Sequence, residues 1–312
     1  MADLASSGAP KKNEGSESDW LTTIRHLFIH LRLHFQLLLA PIFLWGYFLA
    51  VGVHGARPDG KFWIAFLAFH VFLYGGTTAY NSFYDRDEGP VGGLAKPPPV
   101  DPALLPFSLI VQAIGAVLAF AVNLPFAVIY LLTFCLFTAY SYPSIQLKGK
   151  PLGSIFTIGS GQGILAALAG YVAANPHWLA MSALSWLGIM AATLITVGFY
   201  PLTQIYQIDE DLARGDLTFA AWAGPQRSFR FALVVQGLAA ALLIGVIWRL
   251  LGPWNALVVA LFYGALLITV IQWARVFDQA GVMANYRRVM RINTLTSLGF
   301  LGFIGLHLFG VL

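Results

Sequence analysis

Nine predominantly apolar stretches run through the chain, at about 33–53, 62–82, 104–123, 126–142, 153–172, 180–203, 230–250, 254–274 and 293–312. Each is close to the roughly 20 residues that an α-helix needs to cross the hydrocarbon core of a bilayer. They lack the strict alternation of a membrane β-barrel strand. With 58% hydrophobic and only 10% charged residues, the chain cannot cover a water-soluble globule, which typically carries about 25% charge. The expected class is therefore all-α: a polytopic membrane protein of nine transmembrane helices.

The segment before the first crossing divides in two. Residues 1–19 are small and polar and read as a disordered cytoplasmic tail without the features of a cleavable signal. From Trp20, the residues Leu21, Ile24, Leu27, Phe28, Leu31 and Phe35 share one helical face, so 20–32 is expected to lie in the membrane interface. A single membrane domain over 20–312 follows. The lone Cys135 excludes an intrachain disulfide and a cysteine metal cluster.

Nine crossings place about 15 of the 18 basic residues on one side, leaving Arg57, Lys61 and Arg249 on the other. Positive charge marks the cytoplasmic side. The N-terminus is thus expected in the cytoplasm, in a bacterial inner membrane or an equivalent organelle membrane. Charge spread over short loops is not the footprint of a nucleic-acid-binding domain.

The loops on that side alternate in character. Asn81, Asp85, Asp87 and Glu88 follow the second helix, and Tyr140, Tyr142, Lys148 and Lys150 follow the fourth. Gln204, Tyr206, Gln207, Asp209, Glu210, Asp211 and Asp216 follow the sixth, and Asp278, Arg287, Arg288 and Arg291 follow the eighth. Acidic, basic, acidic and basic loops in turn suggest two four-helix repeats around one cavity. Seven of the 14 acidic residues fall in the two acidic clusters, a costly arrangement beside a membrane unless the charges have partners. Mg²⁺ is commonly held by one or two carboxylates plus substrate phosphates, so two acidic clusters flanked by bases suit a diphosphate carrying two Mg²⁺ ions. On a continued second helix, Asn81, Asp85 and Glu88 share a face and Asp87 joins them only if the helix ends early. On the sixth, Gln204, Gln207 and Asp211 share a face and Asp209 joins only if the helix loosens.

These segments resemble the UbiA superfamily of intramembrane prenyltransferases. Asn81 and Asp85 match its first aspartate-rich motif, Tyr140-Ser-Tyr-Pro through Lys148 is similar to its Tyr-Ser…Lys element, and Asp209 to Thr218 is similar to its second acidic motif with the following Gly and Thr. Gly89 and Gln207 stand where the family has acids, and Lys96 stands near a usual Arg-Pro. The resemblance implies a nine-helix bundle around a central cavity and Mg²⁺-dependent transfer of a prenyl group from a prenyl diphosphate to a lipophilic or aromatic acceptor at the cytoplasmic face. Asp85 with Asp87 or Glu88, and Asp211 with Asp209, would hold the metal. Lys148, Lys96 and one of Arg287 or Arg288 would neutralise the diphosphate. Tyr84, Tyr142 and Tyr206 would face the allylic cation. Asn81, Gln204 and Gln207 complete the expected contacts. A terpene cyclase on the same fold would use the same acids without an acceptor. A transporter would place its acids nearer the midplane.

Two other patterns carry a structural expectation. His26, His30 and His34 recur at the spacing of one helical face but sit at the polar boundary of the membrane. Gly159, Gly161 and Gly163 lie within an apolar helix with no preceding strand, where close helix packing is expected instead of a phosphate loop.

Overall fold

Backbone amides cannot be left unpaired in lipid, so apolar segments of this length must become helices. The computed structural model describes residues 14–52 and 57–311. Among them there is no sheet, only one isolated bridge between Val91 and Leu94. Among the described residues, nine helical segments are long and apolar enough to cross a membrane. Helix α1 (Glu14–His30) starts before the expected interfacial segment, and the first 13 residues of the expected polar tail lie outside the described residues. The first crossing is α2 (Leu33–Val51). It is followed by α3 (Gly60–Asp85), α4 (Leu104–Val122), α5 (Leu124–Ser141), α6 (Pro151–Ala174) and α7 (Ala183–Thr203). Two short helices, α8 (Ile208–Ala213) and α9 (Phe219–Ala223), intervene before α10 (Pro225–Leu251), α11 (Pro253–Arg275) and α12 (Val282–Leu308).

The last crossing begins 11 residues earlier than expected. Asn285, Arg287, Arg288 and Arg291 therefore belong to the first turns of α12 and not to a loop. The apolar run starts late because these turns project from the bilayer, yet their backbone is already helical.

The break between α1 and α2 falls at Arg32, whose backbone is left-handed at φ 49°. That break separates His26 and His30 from His34, so the three do not share a continuous helical face. His34 Nε2 instead lies 2.7 Å from the Gly93 carbonyl. Among the described residues, no group of three His, Cys, Asp or Glu side chains is placed to form a metal cage by itself.

Small residues set how tightly the bundle closes. A β-carbon on Gly46 of α2 would lie 1.8 Å from the Ala167 carbonyl oxygen of α6. One on Gly170 would lie 1.8 Å from the Phe43 carbonyl oxygen. The two backbones touch directly, as small residues permit in membranes. Gly163 likewise meets Thr193 and Gly161 meets Phe137, which is the packing role expected of the glycine run. That run forms a π-helical turn, Gly159–Leu165, and α3 contains another at Ala68–Tyr74. Outward-facing residues such as Val117, Leu152, Phe156, Leu261 and Trp254 are largely exposed, as a lipid-facing surface requires. Cys135 is among the exposed residues and is not part of the core.

Gly46→Ala and Gly170→Ala should each force α2 from α6, at a cost of about 3 kcal/mol. Thermal unfolding in detergent should show a clearly lower Tm for both, whereas Gly245→Ala, where an added carbon meets nothing within 4 Å, should leave it unchanged.

Candidate active site

The two acidic clusters meet because both of their helices stop short. Helix α3 ends at Asp85, and Arg86 adopts a left-handed backbone at φ 50°, a conformation that non-glycine residues rarely take. This turn carries Asp87 back beside Asp85 and leaves Glu88 exposed. Helix α7 tightens into a 3₁₀ turn at Tyr200–Thr203 and breaks before α8. Gly215, at φ +82°, reverses the chain after α8, so that Asp216 NH reaches the Asp211 carbonyl at 2.9 Å. Glycine takes that conformation at little steric cost, as is common after a helix C-terminus.

Four carboxylates thereby line one cavity: Asp85, Asp87, Asp211 and Asp216. Lys148 pairs with Asp85 in close contact and with Asp216 at 3.3 Å. Arg214 pairs with Asp87 at 2.6 Å, Asp211 at 2.8 Å, Glu210 at 3.3 Å and Asp216 at 3.9 Å. Each base thus bridges the first acidic cluster to the second. Asn81 donates to Asp85 at 2.8 Å, Thr218 to Asp211 at 3.0 Å, and Gln146 to Asp216 at 2.7 Å. Asp87 Oδ2 is buried without a hydrogen-bond partner, a costly state for a carboxylate oxygen.

Burial raises the Asp211 carboxyl to about 6, although Arg214 and Thr218 pull the other way. For Arg214, burial opposes the charge, but Asp87 and Asp211 overcome it and raise its pKa.

Below this layer, Tyr140 and Tyr200 share a hydrogen bond of 2.7 Å, and Gln204 donates to Tyr200 at 2.8 Å. The cavity, about 320 Å³, continues between the helices past Leu39, Ile42, Trp45, Phe137, Ile195 and Phe300. Trp45 lies 13 residues beyond Arg32 in the chain, mostly along α2, so the chamber extends about 20 Å from the acidic layer.

Of the residues expected from sequence, Asn81, Asp85, Asp87, Lys148, Gln204, Tyr206, Gln207 and Asp211 line the cavity. Glu88 and Asp209 do not. Asp209 is exposed, and its Oδ1 accepts from Gln279 at 2.7 Å. Lys96, Arg287 and Arg288 are exposed and lie outside the lining. Tyr84 and Tyr142 contact each other at 6.3 Å between ring centres but do not line the cavity.

Three charged residues of the lining were given no role in the site by sequence, although Asp216 was counted in the second acidic cluster. Arg214 stands three residues after Asp211 and four after Glu210, a helical spacing that could have revealed the pairing. Asp216 follows a glycine, a turn signal. Arg32 gave no signal. It lies 50 residues before Ser82, to which its Nη2 donates at 2.7 Å, and its Nε is buried without a partner.

Arg214→Gln should strand several buried carboxylates and cost about 3 kcal/mol of stability. The loss should be full at pH 8 and should shrink as pH falls through about 6, because a protonated Asp211 no longer needs the guanidinium. Thermal unfolding of both proteins across that range measures the difference.

Comparison with known proteins places this site in context. The family model described as the UbiA prenyltransferase family matches residues 39–295. A UbiA homologue from Archaeoglobus fulgidus bound to GPP and Mg²⁺ is 16% identical and superposes with a TM-score of 0.66, over 89% of this chain and 99% of that one. The same homologue bound to DMAPP and Mg²⁺ gives a TM-score of 0.65 at 16% identity, with 89% and 99% covered. A digeranylgeranylglyceryl phosphate synthase structure gives 0.62 at 16% identity, with 90% and 98% covered. No curated protein matches the chain by sequence. With the family model covering most of its length, the chain belongs to the UbiA prenyltransferase family of integral membrane enzymes.

Proposed function

We propose that the protein transfers a prenyl group from a prenyl diphosphate to a lipophilic, ring-bearing acceptor, using two Mg²⁺ ions at the cytoplasmic face of a bacterial inner membrane or organelle membrane. The observation that carries this reading is the pair of acidic clusters, bridged by Lys148 and Arg214, at the head of an elongated apolar chamber. A diphosphate fits the charged layer and a prenyl chain fits the chamber. The homologues bound to GPP or DMAPP with Mg²⁺ support the same donor class.

The residues present suit the metal. Mg²⁺ takes oxygen ligands and is often bound by one or two carboxylates together with substrate phosphates. Asp85 and Asp87 from one cluster, and Asp211 and Asp216 from the other, would hold it, and the orphaned Asp87 Oδ2 is a ready ligand. Four carboxylates against Arg32, Lys148 and Arg214 leave the lining net negative. Two divalent ions reverse that sign and suit an anionic diphosphate. When bound, Mg²⁺ neutralises the charge that develops on the departing diphosphate.

The chain's own groups supply the rest. Asn81 orients Asp85 through a 2.8 Å hydrogen bond, and Thr218 orients Asp211. Lys148 and Arg214, released from some of their carboxylates, turn their donors to phosphate oxygens. Arg32, which forms no ion pair with a carboxylate among the described residues, adds a third cation without disrupting one of the pairs above. Departure of diphosphate leaves an allylic cation. Tyr206, T-shaped against Tyr286 at 5.5 Å, offers an aromatic face on the cavity. The acceptor attacks the cation and gives up a proton to the released diphosphate, and the shielded chamber keeps water from competing.

Radiolabelled prenyl diphosphate, incubated with purified protein, Mg²⁺ and a lipid extract of the source organism, tests this directly. Label should move into a new lipid, and Asp85→Asn or Asp211→Asn should reduce the rate about 10²-fold or more. A cyclic hydrocarbon formed without extract would instead make the protein a cyclase. Failure of every chain length to react or bind would overturn the reading.

The same assay separates the two second-cluster ligands. Asp216→Asn should slow transfer about 10²-fold, whereas Asp209→Asn, whose side chain points to Gln279, should stay within about threefold of wild type. Equal effects would return Asp209 to the site.

A further inference from the structure

The chamber under the acidic layer has a floor, and contacts between helices fix its level. Trp45 is the lowest residue that α2 contributes to the lining, 13 residues past Arg32. Its Nε1 donates to the Gly188 carbonyl of α7 at 2.9 Å, so Trp45 and Gly188 stand side by side. From Gly188, α7 climbs 12 residues, about 18 Å, to Tyr200, whose hydroxyl meets that of Tyr140 just under the acidic layer. On the antiparallel α10, Gln236 donates to the Ile195 carbonyl of α7. Leu243 lies seven residues below Gln236, and Gly188 lies seven residues below Ile195, so Leu243 comes to the level of Trp45. Gly46, adjacent to Trp45, touches the Ala167 carbonyl of α6, 16 residues or about 24 Å beyond Pro151. Paths down α2, α6 and α7 thus reach one level, about 20 Å below the acids.

The floor is solid. Trp45 and Leu243 are buried and line the cavity, whereas Phe48 and Ile247, one turn beneath them, are buried and do not. Phe48 stacks against the indole of Trp45 at 5.7 Å between ring centres. Gly188 leaves the indole its seat, since a β-carbon there would lie 3.3 Å from it. Held by a hydrogen bond at one edge and a stacked ring below, the indole has little freedom to swing aside. Close-packed interiors yield poorly to an added group. One turn above Gly188, Ala192 of α7 presents only a methyl group to the chamber, so the space over the floor stays open.

We propose that Trp45 and Leu243 set the length of the prenyl donor, with a limit of four isoprene units: a C20 diphosphate fills the chamber and a C25 diphosphate is too long. An isoprene unit lengthens an extended chain by four carbon–carbon bonds, about 5 Å. With the diphosphate at the acids, about 20 Å of chamber takes about four units. A shorter chain leaves apolar wall uncovered and forfeits contacts. A fifth unit meets the fixed indole. The inference rests on the prenyl diphosphate reading given above and adds to it the size of the donor.

The test measures Mg²⁺-dependent binding of GPP, which is C10, and of the C15, C20 and C25 prenyl diphosphates to the full-length protein in lipid nanodiscs. In wild type, Kd should fall at least threefold with each unit from C10 to C20 and rise at least tenfold at C25. Trp45→Ala and Leu243→Ala lower the floor and should bring C25 to within threefold of C20. Leu243→Ala does so without touching the Trp45–Gly188 hydrogen bond, so it carries the test if Trp45→Ala fails to fold. Ala192→Leu fills the space over the floor and should weaken C20 at least tenfold while GPP stays within twofold of wild type. C25 bound by wild type as tightly as C20, one length profile shared by wild type and the floor variants, or GPP and C20 weakened alike by Ala192→Leu would each overturn the floor as a ruler. A wild-type protein that binds none of the four diphosphates would overturn the donor reading, and this inference with it.

Discussion

The double bridge of Lys148 and Arg214 across four buried carboxylates is the interaction on which this architecture turns. Without the bases, Asp85, Asp87, Asp211 and Asp216 would repel one another in a confined, largely desolvated space. With them, two helix ends far apart in sequence are held over the mouth of one chamber. A buried ion-pair network seldom adds much net stability, since desolvation offsets the attraction. Its value here is positional. The network holds ligand-ready oxygens at one level, and arriving cations can exchange for the bases without the backbone having to move.

That network depends on three departures from regular helix. Arg86 leaves the helical region and returns Asp87 to the cavity. The broken end of α7 sets Asp211 on a separate short helix. Gly215 then reverses the chain and delivers Asp216. Strained or irregular backbone tends to accumulate where geometry matters more than stability. Elsewhere the bundle is regular and tight, and the backbone contact of Gly46 and Gly170 with α6 and α2 provides a rigid wall. Rigidity in the span and irregularity at its end are complementary, because a ligand set needs a fixed frame.

Much of this was legible in sequence because it rests on local chemistry. Run length gave the helices, since each must satisfy its own backbone inside lipid. Asn81 and Asp85 share a helical face by spacing alone, and the structure puts them in one hydrogen bond. The expectations that missed were those that extended helical spacing past a helix end. Glu88 was placed with Asp85 on a helix that in fact stops at Asp85. Asp209 was favoured over Asp216 because nothing local shows how far Gly215 turns the chain. Lys96, Arg287 and Arg288 were grouped with the site by sign and side of the membrane, which does not fix a direction.

The sequence by itself determined the fold class, the number of crossings and the chemical character of one membrane face, because these follow from transfer free energies and residue types summed along the chain. Only the tertiary structure decided which carboxylates face the cavity and that Arg32 and Arg214 join them. Those facts depend on contacts between residues tens to more than a hundred positions apart. The physical reason is that apolar length acts residue by residue, whereas a site is a coincidence of side chains that only the packed bundle can bring about.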